Sequence, residues 1–330
     1  MSVIKLTREL LEIPSPSGME KEVGRYISTR LKGSFNPKIQ KVGKSFNILA
    51  AIGEPKLLLT THMDTVPKRL RVWENSKYIY GRGACDAKGA AAAMICAAEM
   101  ALDNGYADFG VLLDVGEEVD FSGIKKAVKL VNPELVIIGE PTDFKLVVGQ
   151  KGLLSLKITC KGKAAHGATP EKGESAIDAI LDILQKLKGI DFPKDKLLGE
   201  TSINIGTIGG GTARNVIADY AEASVELRTV KPNKDIIMAI EKAVPKKNIA
   251  IESSYDPVLN DIDDMRFRDL ERITVPYFTE MYFWAKKSKV FVLGPGNPEL
   301  AHTDMEAIGK KSLERAVETY YNIIKMNNER

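Results

Sequence analysis

The stretch LLLTTHMDTV (57–66) decides how this chain reads. Three leucines and two threonines make a short apolar run that suits a buried strand, and it stops at a histidine with Asp64 two residues on. At strand spacing His62 and Asp64 project to the same side. The carboxyl end of a strand in an open α/β sheet is where ligands bind. Runs of the same kind predict strands at Asn47–Ile52, Lys56–Thr61, Phe109–Asp114 and Glu134–Ile138. Helical patterns near Glu20–Leu31, Lys88–Asp103 and Gly123–Val131 alternate with them. That alternation is the pattern of a doubly wound α/β domain with helices on both faces.

Beyond Gly149-Gln150-Lys151-Gly152 the pattern changes. LLSLKITCKGK, a helix near Ser175–Leu187, INIGTIGGG, the run Ala218–Thr229 and a helix near Lys234–Ala243 predict a smaller α+β unit. From about Ser253 a helical segment is expected, then the strand Lys289–Leu293 with Gly294-Pro295-Gly296, and a last helix Asp304–Met326. These return to the first domain. The domain reading is therefore 1–151 and 254–330 for the larger domain, with 152–253 inserted as a lid or dimerisation domain. The Ala90–Ala93 run suits a helix lying close on a sheet.

With 47 basic and 44 acidic residues the net charge is +3, a near balance that gives no nucleic-acid footprint. No apolar run reaches membrane-spanning length and no signal core follows Met1, so a cytoplasmic protein is expected. Cys85, Cys96 and Cys160 are odd in number and widely spaced, which suggests neither a disulfide framework nor a cysteine zinc site. A metal here must be held by oxygen and imidazole.

Only three histidines are present, His62, His166 and His302, each in loop-like sequence. Asp86, in GRGACDAKG, sits where glycines allow a tight backbone path, and its carboxylate can bridge two ions; the alternative is a helix N-cap. Glu117-Glu118, in LLDVGEEVD, follows a strand end. Adjacent like charges are unfavourable unless something positive absorbs them, so one carboxylate can bind an ion while the other takes a proton from activated water. The alternative is a solvated acidic turn. Glu140 repeats the arrangement in LVIIGEPTD, and His302 follows a glycine-rich turn in LGPGNPELAHTDME. One imidazole and one carboxylate for each of two ions, with a shared aspartate, make a nitrogen and oxygen site suited to Zn²⁺, with Co²⁺ also acceptable.

THMDTV, GRGACDAKG, GEE, GEPT and AHTDME, in this order and spacing, resemble the zinc metallopeptidase and deacylase family that includes aminoacylase, acetylornithine deacetylase, succinyl-diaminopimelate desuccinylase and related carboxypeptidases. The resemblance spans nearly the whole chain. It implies that His62, Asp86 and Glu140 bind one zinc, that Asp86, Glu118 and His302 bind the other, that Glu117 is the general base and that Asp64 orients His62. It further implies that His166, in GKAAHGATP, stabilises an oxyanion, often across a homodimer. Asn215 and Arg228 would hold a substrate carboxylate, with Asn297 a lesser candidate. Where relatives carry a Thr-Ser-Asp-like element this chain has PYFTEMYFWAKK, so Thr279 and Glu280 are candidate substitutes.

The lean inserted domain and the short chain look most like archaeal and thermophile lysine-biosynthesis hydrolases. Those enzymes release lysine or ornithine from the γ-glutamyl end of a small acidic amino-group carrier protein. Lys151, Lys157, Lys161 and Lys163 are then candidate docking residues for that carrier. A free-substrate deacylase of the acetylornithine or succinyl-diaminopimelate type is the alternative, ahead of a dipeptidase or a non-catalytic binding protein on the same fold.

Overall fold

The computed structural model describes residues 2–260 and 264–329, the side chain of 265 excepted. The chain divides into two compact units. The first comprises Met1–Val148, Asn260–Ile273 and Phe283–Arg330, and the second Gly149–Leu259 and Thr274–Tyr282. The second thus reaches beyond the expected 152–253 at both ends and takes in 274–282. The local reason is a set of bonds around Gln150. Its neighbourhood pairs with Val258-Leu259, and its side-chain oxygen accepts from both the backbone and the hydroxyl of Thr279 at 3.0 and 2.6 Å.

In the first unit a mixed sheet runs in the order Lys38–Val42, Ser45–Ile52, Phe109–Asp114, Leu57–His62, Leu135–Ile138, Lys289–Val292, Leu146–Gln150. The middle four strands are parallel to one another, so their carboxyl ends share one edge. Every residue of Leu57–His62, Phe109–Asp114 and Leu135–Ile138 is buried, which is why these strands read as continuous apolar runs rather than alternating ones. Each fully buried leucine among Leu57, Leu58 and Leu59 contributes about 1.5–3 kcal/mol. Helices cover both faces of the sheet.

The helix Lys88–Asp103 buries its alanines completely and packs against Val3–Glu12 and Lys310–Asn328. Its closeness to the sheet is visible at Gly139, where an added Cβ would lie 2.6 Å from Met94 and 3.1 Å from Ala90. A Cβ one step before Glu140 would have to push the Met94 methyl aside.

The second unit carries an antiparallel sheet in the order Ser202–Gly210, Tyr220–Thr229, Gly152–Lys161, Ile249–Tyr255. Burial alternates along Gly152–Lys161. Its inward set Leu154, Leu156, Ile158 and Cys160 packs with Ile180, Leu184 and Leu187 of the helix Ala176–Lys188 and with Ile236 and Ile240 of Asn233–Ala243. Ser175 caps the first of these helices, its hydroxyl accepting from the Asp178 N–H.

Three expectations are corrected. The last helix starts at Lys310, not Asp304, because Ala307–Gly309 pairs as a strand with Tyr78–Tyr80. The segment from Ser253 is mainly extended, with Ile249–Tyr255, Val258–Leu259 and Arg272–Val275 as strands and only Met265–Phe267 and Met281–Trp284 as short helical turns; the expectation for 261–263 lies outside the described residues. The helix expected at Gly123–Val131 is the shorter Ser122–Ala127.

Candidate metal centre

The parallel strand ends deliver their side chains to one place. His62 closes its strand. Glu117 and Glu118 follow the end of Phe109–Asp114, and Glu140 follows Leu135–Ile138. His302 arrives from the turn after Lys289–Val292, in a left-handed conformation with φ 63°. Such a backbone is uncommon outside glycine, and histidine is one of the residues that adopt it more readily. Asp86 comes from the loop before Lys88–Asp103; the helix cap is Ala87, so the capping alternative for Asp86 does not apply.

Asp86 presents one oxygen to each histidine. Oδ1 lies 3.0 Å from His62 Nε2 and Oδ2 lies 3.2 Å from His302 Nε2. Glu140 Oε1 is 3.7 Å from His62 Nε2, and Glu118 is 3.0 Å from His302 Nε2. Two groups result, His62 with Asp86 and Glu140, and Asp86 with Glu118 and His302, the ligand atoms of each lying within 4.8 Å of one another. They share Asp86, and Glu117 belongs to neither.

The electrostatics fit a pair of divalent cations. Burial pushes the Glu140 carboxyl up to about 7 against the downward pull of His62, with Asp86 and Glu118 adding to the rise. Its Oε1 meets no hydrogen-bond donor. Hydrogen bonds that the ring donates to Asp86 and Glu118 push His302 up to about 10. Burial works against the charge on His62, yet Glu140, Asp64 and Asp86 together hold it well above the usual imidazole range. The same imidazoles, against the effect of burial, hold Asp86 well below the usual carboxylate range. These directions mark a concentration of negative charge that a bound divalent ion would neutralise with neutral rings. Two nitrogen and several oxygen donors suit Zn²⁺ and also Co²⁺.

Neighbouring residues fix these ligands. His62 Nδ1 donates to the Asp64 carbonyl at 3.0 Å, leaving Nε2 for the shared site. The Asp64 carboxylate is 3.5 Å from His62 Nδ1 and accepts from the Ser17 hydroxyl at 2.7 Å. It also takes the backbone N–H groups of Glu117 and Glu118, each at 3.2 Å. Lys88 is buried, and its ammonium donates to the carbonyls of Leu10 and Ile13; burial brings it down to about 7. Cys85 is a buried packing residue whose thiol donates to the Asn297 carbonyl. Ser17, Arg82, Lys88 and Glu306 were not singled out from the sequence. Three of them lie inside the quoted motifs GRGACDAKG and AHTDME, which is the signal that marks them.

His166, Asn215 and Arg228 belong to the second unit. His166 and Asn215 are neighbours there: His166 bridges to Val216 and the Gly167 N–H donates to the Asn215 carbonyl. Both side chains are exposed. His166 Nδ1 accepts from the Ala168 N–H at 3.1 Å, so the ring proton sits on Nε2. Arg228 is at the other end of the Tyr220–Thr229 strand from Asn215 and pairs with Glu226 at 2.7 Å. The Asn297 side chain caps the short turn Pro298–Leu300 by accepting from Glu299 N–H. Thr279 and Glu280 are buried, the former committed to Gln150.

The model of the peptidase dimerisation domain of the M20 peptidases matches residues 148–252. A peptidase M20 domain-containing protein of Schizosaccharomyces pombe is 33% identical over 341 residues, covering 99% of this chain and 85% of that protein. A probable carboxypeptidase of Aspergillus flavus is 34% identical, covering 98% of this chain and 89% of its own length. Among solved structures, an M20 family metallo-carboxypeptidase of Sulfolobus solfataricus has the same fold, with a TM-score of 0.82 at 17% identity over the full length of both chains. Fold, ligand groups and relatives together define a metal-dependent hydrolase of amide bonds. The chain belongs to the M20 peptidase family.

Proposed function

We propose that this enzyme releases lysine or ornithine by hydrolysing the amide that joins it to the γ-glutamyl end of a small acidic carrier protein. The observation that carries the chemistry is the pair of ligand groups sharing Asp86, with Glu117 next to the ligand Glu118 in sequence, anchored to Asp64 by its backbone N–H and outside both groups. When bound, two zinc ions supply the Lewis acidity that polarises an amide carbonyl and lowers the pKa of water. Glu117 takes the proton of the attacking water and passes it to the leaving amine nitrogen, so that one water is consumed for each acid and amine formed. The Nε2–H of His166 is the donor for the oxyanion, and Asn215, Arg228 and Asn297 are substrate-binding residues in this reading.

Several features support a macromolecular, acidic substrate. The net charge is +3 with a pI of about 8.5. The side chain of His302 is 52% exposed, so the centre is reachable from solvent. Of the four candidate docking lysines, Lys157 pairs with Glu222 and Lys151 donates to the Glu200 carbonyl; Lys161 and Lys163 are exposed. The enzyme works as a cytoplasmic homodimer in this reading, for which the match to a dimerisation domain speaks. No helix among the described residues is long and apolar enough to cross a membrane.

A second reading, cleavage of a free carboxyl-terminal amino acid or of a small acylated amino acid, is favoured by the names of the relatives. The test is amine release by the zinc-loaded enzyme from carrier-linked γ-glutamyl-lysine, set beside acetylornithine, succinyl-diaminopimelate and short peptides. Preference for the carrier substrate supports the proposal. Preference for a small substrate overturns it and leaves the metal chemistry standing. Light scattering tests the dimer, and a monomeric, fully active enzyme rules it out.

A further inference from the structure

Asp86 has to serve both ligand groups, yet it lies on a loop with no regular hydrogen-bond ladder of its own. What organises that loop is Glu306, which is 1% exposed. Its Oε1 accepts three backbone N–H groups, those of Gly83, Cys85 and Asp86, at 2.9, 3.1 and 3.2 Å. Its Oε2 accepts from Arg82 Nη1 at 2.6 Å, and its own carbonyl accepts from Gly81 N–H. The loop from Gly81 to Asp86 is wrapped around one carboxylate.

Glu306 stands four residues after His302, on the same short segment. That segment is fastened on both sides of Glu306. Asp304 accepts from Lys68 Nζ through both oxygens, and Ala307–Gly309 pairs with Tyr78–Tyr80. One stretch of chain therefore carries a ligand of the second group and the brace of the carboxylate that both groups share. His302 Nε2 and Asp86 Oδ2 end 3.2 Å apart.

We propose that Glu306 is a positioning residue of the metal centre, which sets the separation of Asp86 and His302 by gripping the Asp86 loop from the segment that bears His302. A carboxylate is required at this point. Glutamine would offer one acceptor to the three N–H groups and turn its NH₂ toward the Arg82 guanidinium, donor against donor. Aspartate keeps the charge and is shorter by one carbon bond, roughly 1.5 Å, too little to reach loop and guanidinium together. The inference rests on the two-ion reading of the centre and is independent of the substrate.

The experiment is a Co²⁺ titration of the full-length, metal-free enzyme, followed by equilibrium dialysis and visible absorption, for wild type, Glu306→Gln and Glu306→Asp. His302→Ala identifies which equivalent belongs to Asp86, Glu118 and His302. That equivalent should weaken about 10- to 100-fold in Glu306→Gln, the range seen when the support of a metal ligand is removed. Glu306→Asp should fall between Glu306→Gln and wild type. Added Co²⁺ should restore turnover of Glu306→Gln with KM unchanged. If Glu306→Gln does not fold, Glu306→Asp carries the same comparison. Wild-type affinity for both equivalents in the folded variants overturns the proposal. So does lost turnover that excess Co²⁺ leaves lost, since a purely structural defect behaves that way. A wild-type enzyme that takes up a single Co²⁺ overturns the two-ion reading, and this inference with it, leaving the substrate assay to decide the other proposal.

Discussion

Asp64 and Glu117 follow neighbouring strands and are joined there, the Glu117 backbone N–H donating to Asp64 Oδ1 at 3.2 Å. Asp64 is therefore more than a prop for His62. It fixes the turn that presents both Glu117 and Glu118, and against the cost of burial its contacts with His62, Ser17 and the Glu118 N–H hold it below the usual carboxylate range. Replacing it with alanine strands those donors in a buried site. Asp64→Ala should lower affinity for both ions about 10- to 100-fold and lower kcat as well, measured by dialysis and by turnover at saturating metal. Unchanged affinity would confine Asp64 to a packing role.

Glu117→Gln should keep both metal equivalents, because Glu117 is in neither ligand group, while kcat drops about 10²- to 10⁴-fold, the usual contribution of a general base. Unchanged kcat would transfer the proton to another residue.

Stripping the enzyme with a chelator should lower its thermal midpoint. Asp86, Glu118 and Glu140 then rely on two imidazolium rings for balance. An ion that binds only the folded chain at a hundred times its Kd adds about 2.7 kcal/mol. Calorimetry with and without Zn²⁺ checks this, and equal midpoints would exclude a metal linked to folding of this unit.

Away from the centre, Asp264 pairs with Arg266 at 2.6 Å and lies 3.5 Å from Lys289. Burial opposes its charge, but Arg266 and Lys289 bring its carboxyl from 3.8 down to about 2. The folded value is the lower one, so this pairing stabilises the protein above the ordinary carboxylate range and the contribution fades as pH falls from about 4 through about 2. In urea unfolding over that interval, Asp264→Asn should show a shallower acid loss than wild type. Parallel curves would remove Asp264 from the acid response.

Much of the centre was legible in the sequence because apolar strands stop sharply at polar residues. His62, Glu117-Glu118 and Glu140 each follow a run that is buried throughout, and a parallel sheet needs such runs. Partners that act through main-chain atoms were not legible. Nothing in the local pattern says that Glu306 will collect the N–H groups of residues more than two hundred positions earlier, or that pairing of Ala307–Gly309 with Tyr78–Tyr80 keeps this stretch out of the last helix. The stretch after Ser253 failed for a related reason. Its helical periodicity is overridden by pairing with distant strands, as at Val258-Leu259 against Gly149-Gln150. Pairing of that kind leaves no trace within a short window of sequence.

The order of the chain has a consequence for how the centre matures during synthesis. His62, Asp86 and Glu140 all lie in the first segment of the first unit, Met1–Val148, ahead of the inserted unit. His302 and Glu306 are translated only after it, and the strand Lys289–Val292 must then enter between Leu135–Ile138 and Leu146–Gln150, which the ribosome released long before. A nascent chain thus possesses every ligand for one ion while still missing a ligand for the other and the brace of the aspartate they share. Any product that ends before His302, by early termination or by a protease, carries one complete ligand set and lacks the second.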